Sequence, residues 1–195
     1  MNDTFVASHT STFCNSFGQF MIPGDDIKIR RIGAANVALL SDVAVRAYSD
    51  HYLHLWYDKG EWYIDKSFSV KNLLRELEDE NARFSIIYCN EEAVGFLKLN
   101  IDAPLQDEEN ALELERIYLT KAASGKGIGK FVLDFVFQIA KEQNKNLVWL
   151  KVMDSSTDAI SFYKNNGFEI CGTHHLDFPE MKEEFRGMYV MRKFL

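Results

Sequence analysis

Apolar positions along the chain recur with two periods, two residues and about 3.6 residues, and the switches between them outline the elements. Alternation over Ile27 to Ile32 predicts a first strand, and Val37, Leu40, Val43 and Ala44 at helical spacing predict a helix from Ala34 to about His54. Leu73, Leu74 and Leu77 place a second helix at about Val70 to Glu80. Arg83 to Cys89 and Ala93 to Ile101 read as two strands, and the polar turn Asn90 to Glu92 between them has the composition of a hairpin. Leu112, Leu114, Ile117 and Leu119 predict a largely buried central strand, followed by a helix that carries Phe131, Phe135 and Ile139 and runs to about Asn144. Leu147 to Met153 is a continuous apolar strand, and a strand-helix-strand order makes it parallel to the central one. A start at Ser155 or Ser156 and a stop at Asn166-Gly167 bracket a short helix. Phe168 to Leu176 and Phe185 to Lys193 then form a closing pair of strands around the polar stretch Asp177 to Glu184. The order is strand, two helices, three strands, helix, strand, helix and two strands, which is a mixed α/β (α+β) domain.

No break in composition divides residues 27–195, so they are expected to form a single domain behind an extension at 1–26. The extension lacks the basic start and compact apolar run of a signal peptide, although Phe13, Phe17 and Phe20 could form one helical face before Pro23 and Gly24 end it. With 47% hydrophobic and 26% charged residues, the chain has the balance of a soluble globule, and no apolar run approaches a membrane span. A net charge of -7 argues against general nucleic-acid binding and is compatible with a cationic substrate, as it is with an ordinary cytoplasmic protein. Cys14, Cys89 and Cys171 are far apart and odd in number, so neither a disulfide framework nor a zinc site is indicated, and a reducing cytoplasm fits. No metal site is expected from His51 and His54 or from the adjacent His174 and His175. The oligomeric state stays open, with a homodimer allowed.

The chemistry-bearing stretch is TKAASGKGIGK, Thr120 to Lys130, between the central strand and its helix. Gly125, Gly127 and Gly129 let the backbone turn tightly and approach a ligand, and the helix start presents free N–H groups there. Lys126 and Lys130 oppose the helix macrodipole unless an anion binds, the other reading being two solvated lysines on a glycine-eased turn. A Walker loop is excluded, because Ser124 stands where its first glycine would be and Phe131 replaces the metal-binding hydroxyl. Neither frame of a dinucleotide fingerprint fits, since Lys130 and Val132 occupy the required glycine positions.

These residues resemble the acetyl-CoA loop of the GCN5-related N-acetyltransferases (the GNAT superfamily), in which Gln or Arg is followed by x-x-Gly-x and then Gly or Ala. Ser124, Gly127 and Gly129 take the three key positions, so Ser124 departs from the usual Gln or Arg and one pyrophosphate contact is lost. A second stretch, DSSTDAISFYKNNGF, matches the family's helix at Ala159, Tyr163, Gly167 and Phe168, while Ser156 replaces the usual asparagine. The resemblance covers about Ile27 to Leu195 and implies the GNAT acyl-CoA N-acyltransferase fold, a mixed central sheet whose parallel strands splay apart. Within the family, KLNIDAP, LELERIYL, SFYKNNGF and GTHHLDF look most like bacterial spermidine/spermine acetyltransferases.

The resemblance implies acetyl transfer from acetyl-CoA to a primary amine by direct attack in a ternary complex, with a polyamine such as spermidine or spermine, or another small amine, as acceptor. Ile117, Tyr118 and Leu119 would line the pantetheine arm, with the Leu119 N–H facing the thioester oxygen. Ser124, Gly125, Lys126, Gly127, Ile128, Gly129 and Lys130 would cradle the phosphates, and Ser156 and Ala159 would add contacts. Glu113, with Glu115 beside it as rival or water-positioning partner, is the candidate base; both also read as strand carboxylates paired with a neighbour such as Arg116. Tyr163 is the candidate acid toward the thiolate. The rings of Tyr48, Tyr52, Trp56, Tyr57, Trp62 and Tyr63 fall where the family builds its acceptor wall, and are candidates for stacking on a cation or for core packing. An amino-acid derivative or a protein N-terminus remains an alternative acceptor. A regulatory module that binds acyl-CoA without turnover is the alternative from another class.

Overall fold

The computed structural model describes residues 20–22 and 25–195; Phe13, Cys14 and Phe17 lie outside them. The strands are β1 (Phe20–Ile22), β2 (Asp25–Arg31), β3 (Ala82–Cys89), β4 (Glu92–Asn100), β5 (Ala111–Leu119), β6 (Leu147–Met153), β7 (Glu169–His175) and β8 (Gly187–Phe194). The helices are α1 (Val37–Tyr52), α2 (Glu61–Phe68), α3 (Val70–Leu77), α4 (Ile128–Glu142) and α5 (Thr157–Asn165). The strands form one sheet in the order β1-β2-β3-β4-β5-β6-β8-β7, antiparallel except where β5 runs beside β6.

Helices cover both faces. On one, α4 and α5 bury Phe131, Val132, Val136 and Ile160 against Ile29, Leu97, Leu112, Leu114 and Val148. On the other, Leu40, Val43 and Ala44 of α1, Phe68 and Leu73 pack with Phe84, Ile86 and Phe96. Fully burying a Val, Leu, Ile or Phe side chain in these layers contributes roughly 1.5 to 3 kcal/mol relative to exposure.

The structure departs from the sequence reading in three places. A helix, α2, lies between the two expected, because the ring-rich run Trp62 to Phe68 hides its helical period. Its start is held by Asp58, whose carboxylate accepts from the Gly60 and Trp62 N–H groups at 2.8 and 2.7 Å. Phe20 begins a short strand instead of ending a helical face, and that strand pairs antiparallel with β2, which itself starts at Asp25. Finally, β5 carries a bulge: Lys98 pairs with Arg116 but Leu99 pairs with Leu114, so Glu115 has no partner across the ladder. The bulge shifts the alternation by one residue. It is why Leu112 and Leu114, then Ile117 and Leu119, all pack toward α4 and α5, while Tyr118 packs on the opposite face.

The Asn90 to Glu92 hairpin forms as expected, with Asn90 and Glu91 both at positive φ in the turn.

Candidate active site

The site begins where two parallel strands part. β5 and β6 pair over Ala111 with Leu147, Leu112 with Val148 and Glu113 with Trp149, and no further. Beyond Glu113 a cleft of about 380 Å³ opens between them. Thr120 N–H donates to the Val94 carbonyl at 2.8 Å, so by the alternation of an antiparallel ladder Leu119 and Ile117 are non-hydrogen-bonded positions. Their N–H and C=O groups therefore turn away from β4, toward the gap. The Leu119 carbonyl meets Nε2 of His51 at 3.1 Å, which leaves its N–H as a donor on that side.

At the end of β5 the chain enters the glycine loop. Gly125 and Gly127 have φ of 77° and 80°, left-handed values that favour glycine, and Gly127 caps α4 without a side-chain hydrogen bond. Residues 124–127 are exposed, and they lead into a helix start whose first N–H groups have no acceptor within the helix. Gly129 packs below them: a Cβ there would lie 3.3 Å from the Phe162 ring, which brings α4 close to α5. Lys130 pairs with Asp134 one turn on, leaving Lys126 as the exposed cation beside the loop. Ser124 turns its hydroxyl back to the Thr120 carbonyl at 3.3 Å. Ser156 and Ala159, at the start of α5, line the cleft with Ile117 and Tyr118.

Glu113 and Glu115 also line the cleft and share one amide: Asn100 Nδ2 donates to both, at 2.8 Å each. Their other partners differ. Glu113 pairs with Lys151 at 3.0 Å, a side chain 35% exposed. Glu115 is held by Lys98 at 2.6 Å and Arg116 at 3.1 Å, with those side chains only 10% and 13% exposed, and both cations also bind Glu76 of α3. Burial pushes the Glu115 carboxyl up, but Arg116, Lys98 and Asn100 outweigh it and leave it below the usual carboxylate value. The Glu113–Lys151 pair is the more readily rearranged of the two.

Tyr163 of α5 is buried against Phe162 and Phe168 and reaches the cleft. Among the described residues its hydroxyl has no hydrogen-bond partner in the protein. Burial raises its pKa well above the ordinary tyrosine value, with a smaller contribution from the facing Tyr52, so it stays protonated across the neutral range.

The aromatic wall divides between packing and open positions. Trp56 donates to the Tyr48 hydroxyl at 2.6 Å, and Tyr63 stacks on both rings with centroids 4.9 Å away. These are core contacts. Tyr57 is 66% exposed and lies outside the cleft lining. Trp62 does lie under a cation, but the cation is the protein's own: Lys66 Nζ sits 4.4 Å from the Trp62 ring and 4.3 Å from that of Phe178. Phe178 comes from the 176–186 segment, which is tied to residues 55–57 by Tyr57 N–H to the Glu180 carbonyl and Lys182 N–H to the Leu55 carbonyl.

Sequence reasoning overlooked Asn100, Lys151 and Lys66. A lone lysine inside the apolar run LVWLKVM and a lysine four residues after Trp62 were the signals available for two of them.

A parallel pair that splays beside a glycine-rich helix start, with Tyr163 and Glu113 lining the gap, is the arrangement that the resemblance to acetyl-CoA-dependent acyltransferases implied. The family model described as Acetyltransferase (GNAT) family matches residues 39–168, and the chain belongs to that family. A spermidine N(1)-acetyltransferase of Thermoplasma acidophilum is 28% identical over 164 residues, covering 78% of this chain and 94% of that one. An uncharacterized N-acetyltransferase in the pepI 3' region of Lactobacillus delbrueckii subsp. lactis is 31% identical over 115 residues, 57% of this chain and 66% of the relative. Among solved structures, the PaiA N-acetyltransferase of Thermoplasma acidophilum, in complex with coenzyme A, superposes with a TM-score of 0.68 at 25% identity, covering 87% of this chain and 99% of that one. Among the described residues no helix is long and apolar enough to cross a membrane.

Proposed function

We propose that residues 27–195 act as one domain that moves acetyl from acetyl-CoA to a small primary amine by direct attack in a ternary complex. The observation that carries this reading is the gap between β5 and β6, whose edge exposes the Ile117 and Leu119 backbone groups and leads straight into the glycine loop. The fit is chemical as well as spatial: an extended amide-bearing arm suits unpaired strand edges, and a pyrophosphate suits free N–H groups with Lys126 beside them. When bound, acetyl-CoA supplies an activated thioester.

The protein's own groups would do the rest. Ser124 to Lys130 hold phosphate; Ile117, Tyr118, Leu119, Ser156 and Ala159 orient the arm; and the Leu119 N–H donates to the carbonyl oxygen on which charge develops. An alkylammonium must lose a proton before it attacks, and Glu113 is the group we assign to accept it. Its Lys151 partner is partly exposed and can be exchanged for an incoming ammonium, whereas Glu115 is locked between buried cations. Tyr163, kept neutral by burial, gives its proton to the departing sulfur.

The relative named for spermidine acetylation supports a polyamine as one acceptor to test; amino-acid-like amines are the alternative to set beside it. The deciding experiment is thiol release from acetyl-CoA against a panel of both kinds, with calorimetry of CoA alone beside it. Turnover with at least one panel amine is expected. Tight CoA binding without release for any amine would favour a regulatory module, and absent CoA binding by a folded protein would remove the reading altogether.

A further inference from the structure

The charges lining the acceptor end of the cleft do not suit a polycation. They are Lys66, Arg116 and Lys151 against Glu113 and Glu115. Both carboxylates are already matched, Glu113 by Lys151 and Glu115 by Lys98 and Arg116. Arg116 and Lys98 are further shared with Glu76. What remains is Lys66, which among the described residues makes no ion pair and rests only on the Trp62 and Phe178 rings. Asp58, the acidic group that starts the same helix, is spent on two backbone N–H groups, and the carboxylate of Glu180 does not line the cleft.

We propose that Lys66 receives an anionic group of the acceptor, so that the preferred substrate is a small amine carrying a carboxylate, of the amino-acid type, rather than a polyamine. This rests on the acetyltransferase reading above and narrows it. The physical argument has two parts. Of the rings that line the cleft, that of Phe178 already carries the Lys66 ammonium, so a second ammonium of a polyamine brought to that wall meets repulsion from Lys66. Lys66 itself is exposed, but its Nζ rests on the Trp62 and Phe178 rings at the cleft wall, where an oxyanion arriving from the cleft gains a charge-assisted contact. An acceptor with its amine toward Glu113 and Tyr163 and its carboxylate toward Lys66 gives Lys66 the ion-pair partner it lacks within the described residues.

The test compares matched acceptors that differ by one carboxylate, such as lysine with cadaverine and leucine with isoamylamine, and adds spermidine, in wild type, Lys66→Met and Lys66→Glu. The wild type is expected to favour the carboxylate-bearing member of each pair in kcat/KM. Lys66→Met is expected to lower that value about tenfold or more, chiefly through KM, as befits a charge-assisted contact. Lys66→Glu is expected to reverse the order and favour cadaverine and spermidine. Equal preference within the pairs, or a wild-type preference for spermidine that survives in Lys66→Met, would overturn the proposal. A binding arm separates this failure from failure of the acetyltransferase reading: the same amines are titrated by calorimetry into the CoA-saturated protein. Even without turnover, tighter binding of the carboxylate-bearing partner that is lost in Lys66→Met supports the assignment, and equal affinity refutes it.

Discussion

Replacing Tyr163 by phenylalanine separates the chemical role of this residue from its packing. The ring would keep its contacts with Phe162 and Phe168, whose centroids lie 5.3 and 5.6 Å away, so no cavity is opened. The hydroxyl has no partner among the described residues, so its removal orphans no buried group. Deleting a side chain's hydrogen bond costs about 1 kcal/mol, and leaving a partner unsatisfied costs about 1 to 3 kcal/mol; neither loss applies here. Stability in urea should therefore change by less than about 0.5 kcal/mol, or rise slightly. General acid catalysis is typically worth about 10² to 10⁴-fold, or roughly 3 to 5 kcal/mol in the barrier, and that is the expected fall in single-turnover acetylation. Because burial raises the Tyr163 pKa, the wild-type rate should show no loss of this acid until the pH passes about 10, the ordinary tyrosine value. The variant should lack that limb. Rapid-quench measurement with saturating acetyl-CoA, together with CoA affinity, tests it. A variant that unfolds more easily yet acetylates at nearly the wild-type rate would make Tyr163 structural and remove it from the mechanism.

Gly127→Glu puts a side chain on a left-handed residue and a negative charge at the helix start, so CoA affinity should fall at least about tenfold in a folded protein; unchanged affinity by calorimetry would refute the anion site. Gly95→Ala would place a Cβ 2.3 Å from the Tyr118 carbonyl and 2.7 Å from Leu119 Cδ2, forcing β5 aside. A loss of roughly 1 to 3 kcal/mol is expected. The melting temperature should drop by several degrees, and an unchanged value would show that the strands can part there without cost. Glu115 has its pKa lowered in the fold, so its ion pairs stabilise above the unfolded value near 4.3 and that contribution is lost as pH falls through the folded value. Glu115→Gln should therefore be less stable at neutral pH and flatter than wild type below about pH 4.5; parallel acid-denaturation curves would contradict the network.

Periodicity and turn chemistry are local, and what they control was legible in the residues. The β6 range Leu147–Met153, the Asn90 and Glu91 hairpin turn and the short α5 helix ahead of Gly167 follow from neighbours within a few positions. So did the glycine loop, because left-handed residues at a strand-to-helix junction have few sequence solutions. The β5 bulge was written in the spacing of Leu112, Leu114, Ile117 and Leu119, whose phase slips by one residue, but only the register with β4 reveals that Glu115 is the residue that slips.

The site's electrostatics were beyond reach of sequence patterns, since each pair joins groups remote in the chain. Lys98 meets Glu76, Lys151 meets Glu113, and Asn100 bridges two glutamates that the alternation of a regular strand would only have placed on one face. The aromatic segment shows the same limit most clearly. The family resemblance made its rings candidates for stacking on a substrate cation or for core packing, and only folding brings Phe178 beside Trp62 and sets Lys66 over both. A sequence states which charges and rings exist; burial and register decide which of them have already found each other, and so which one is left to meet a substrate.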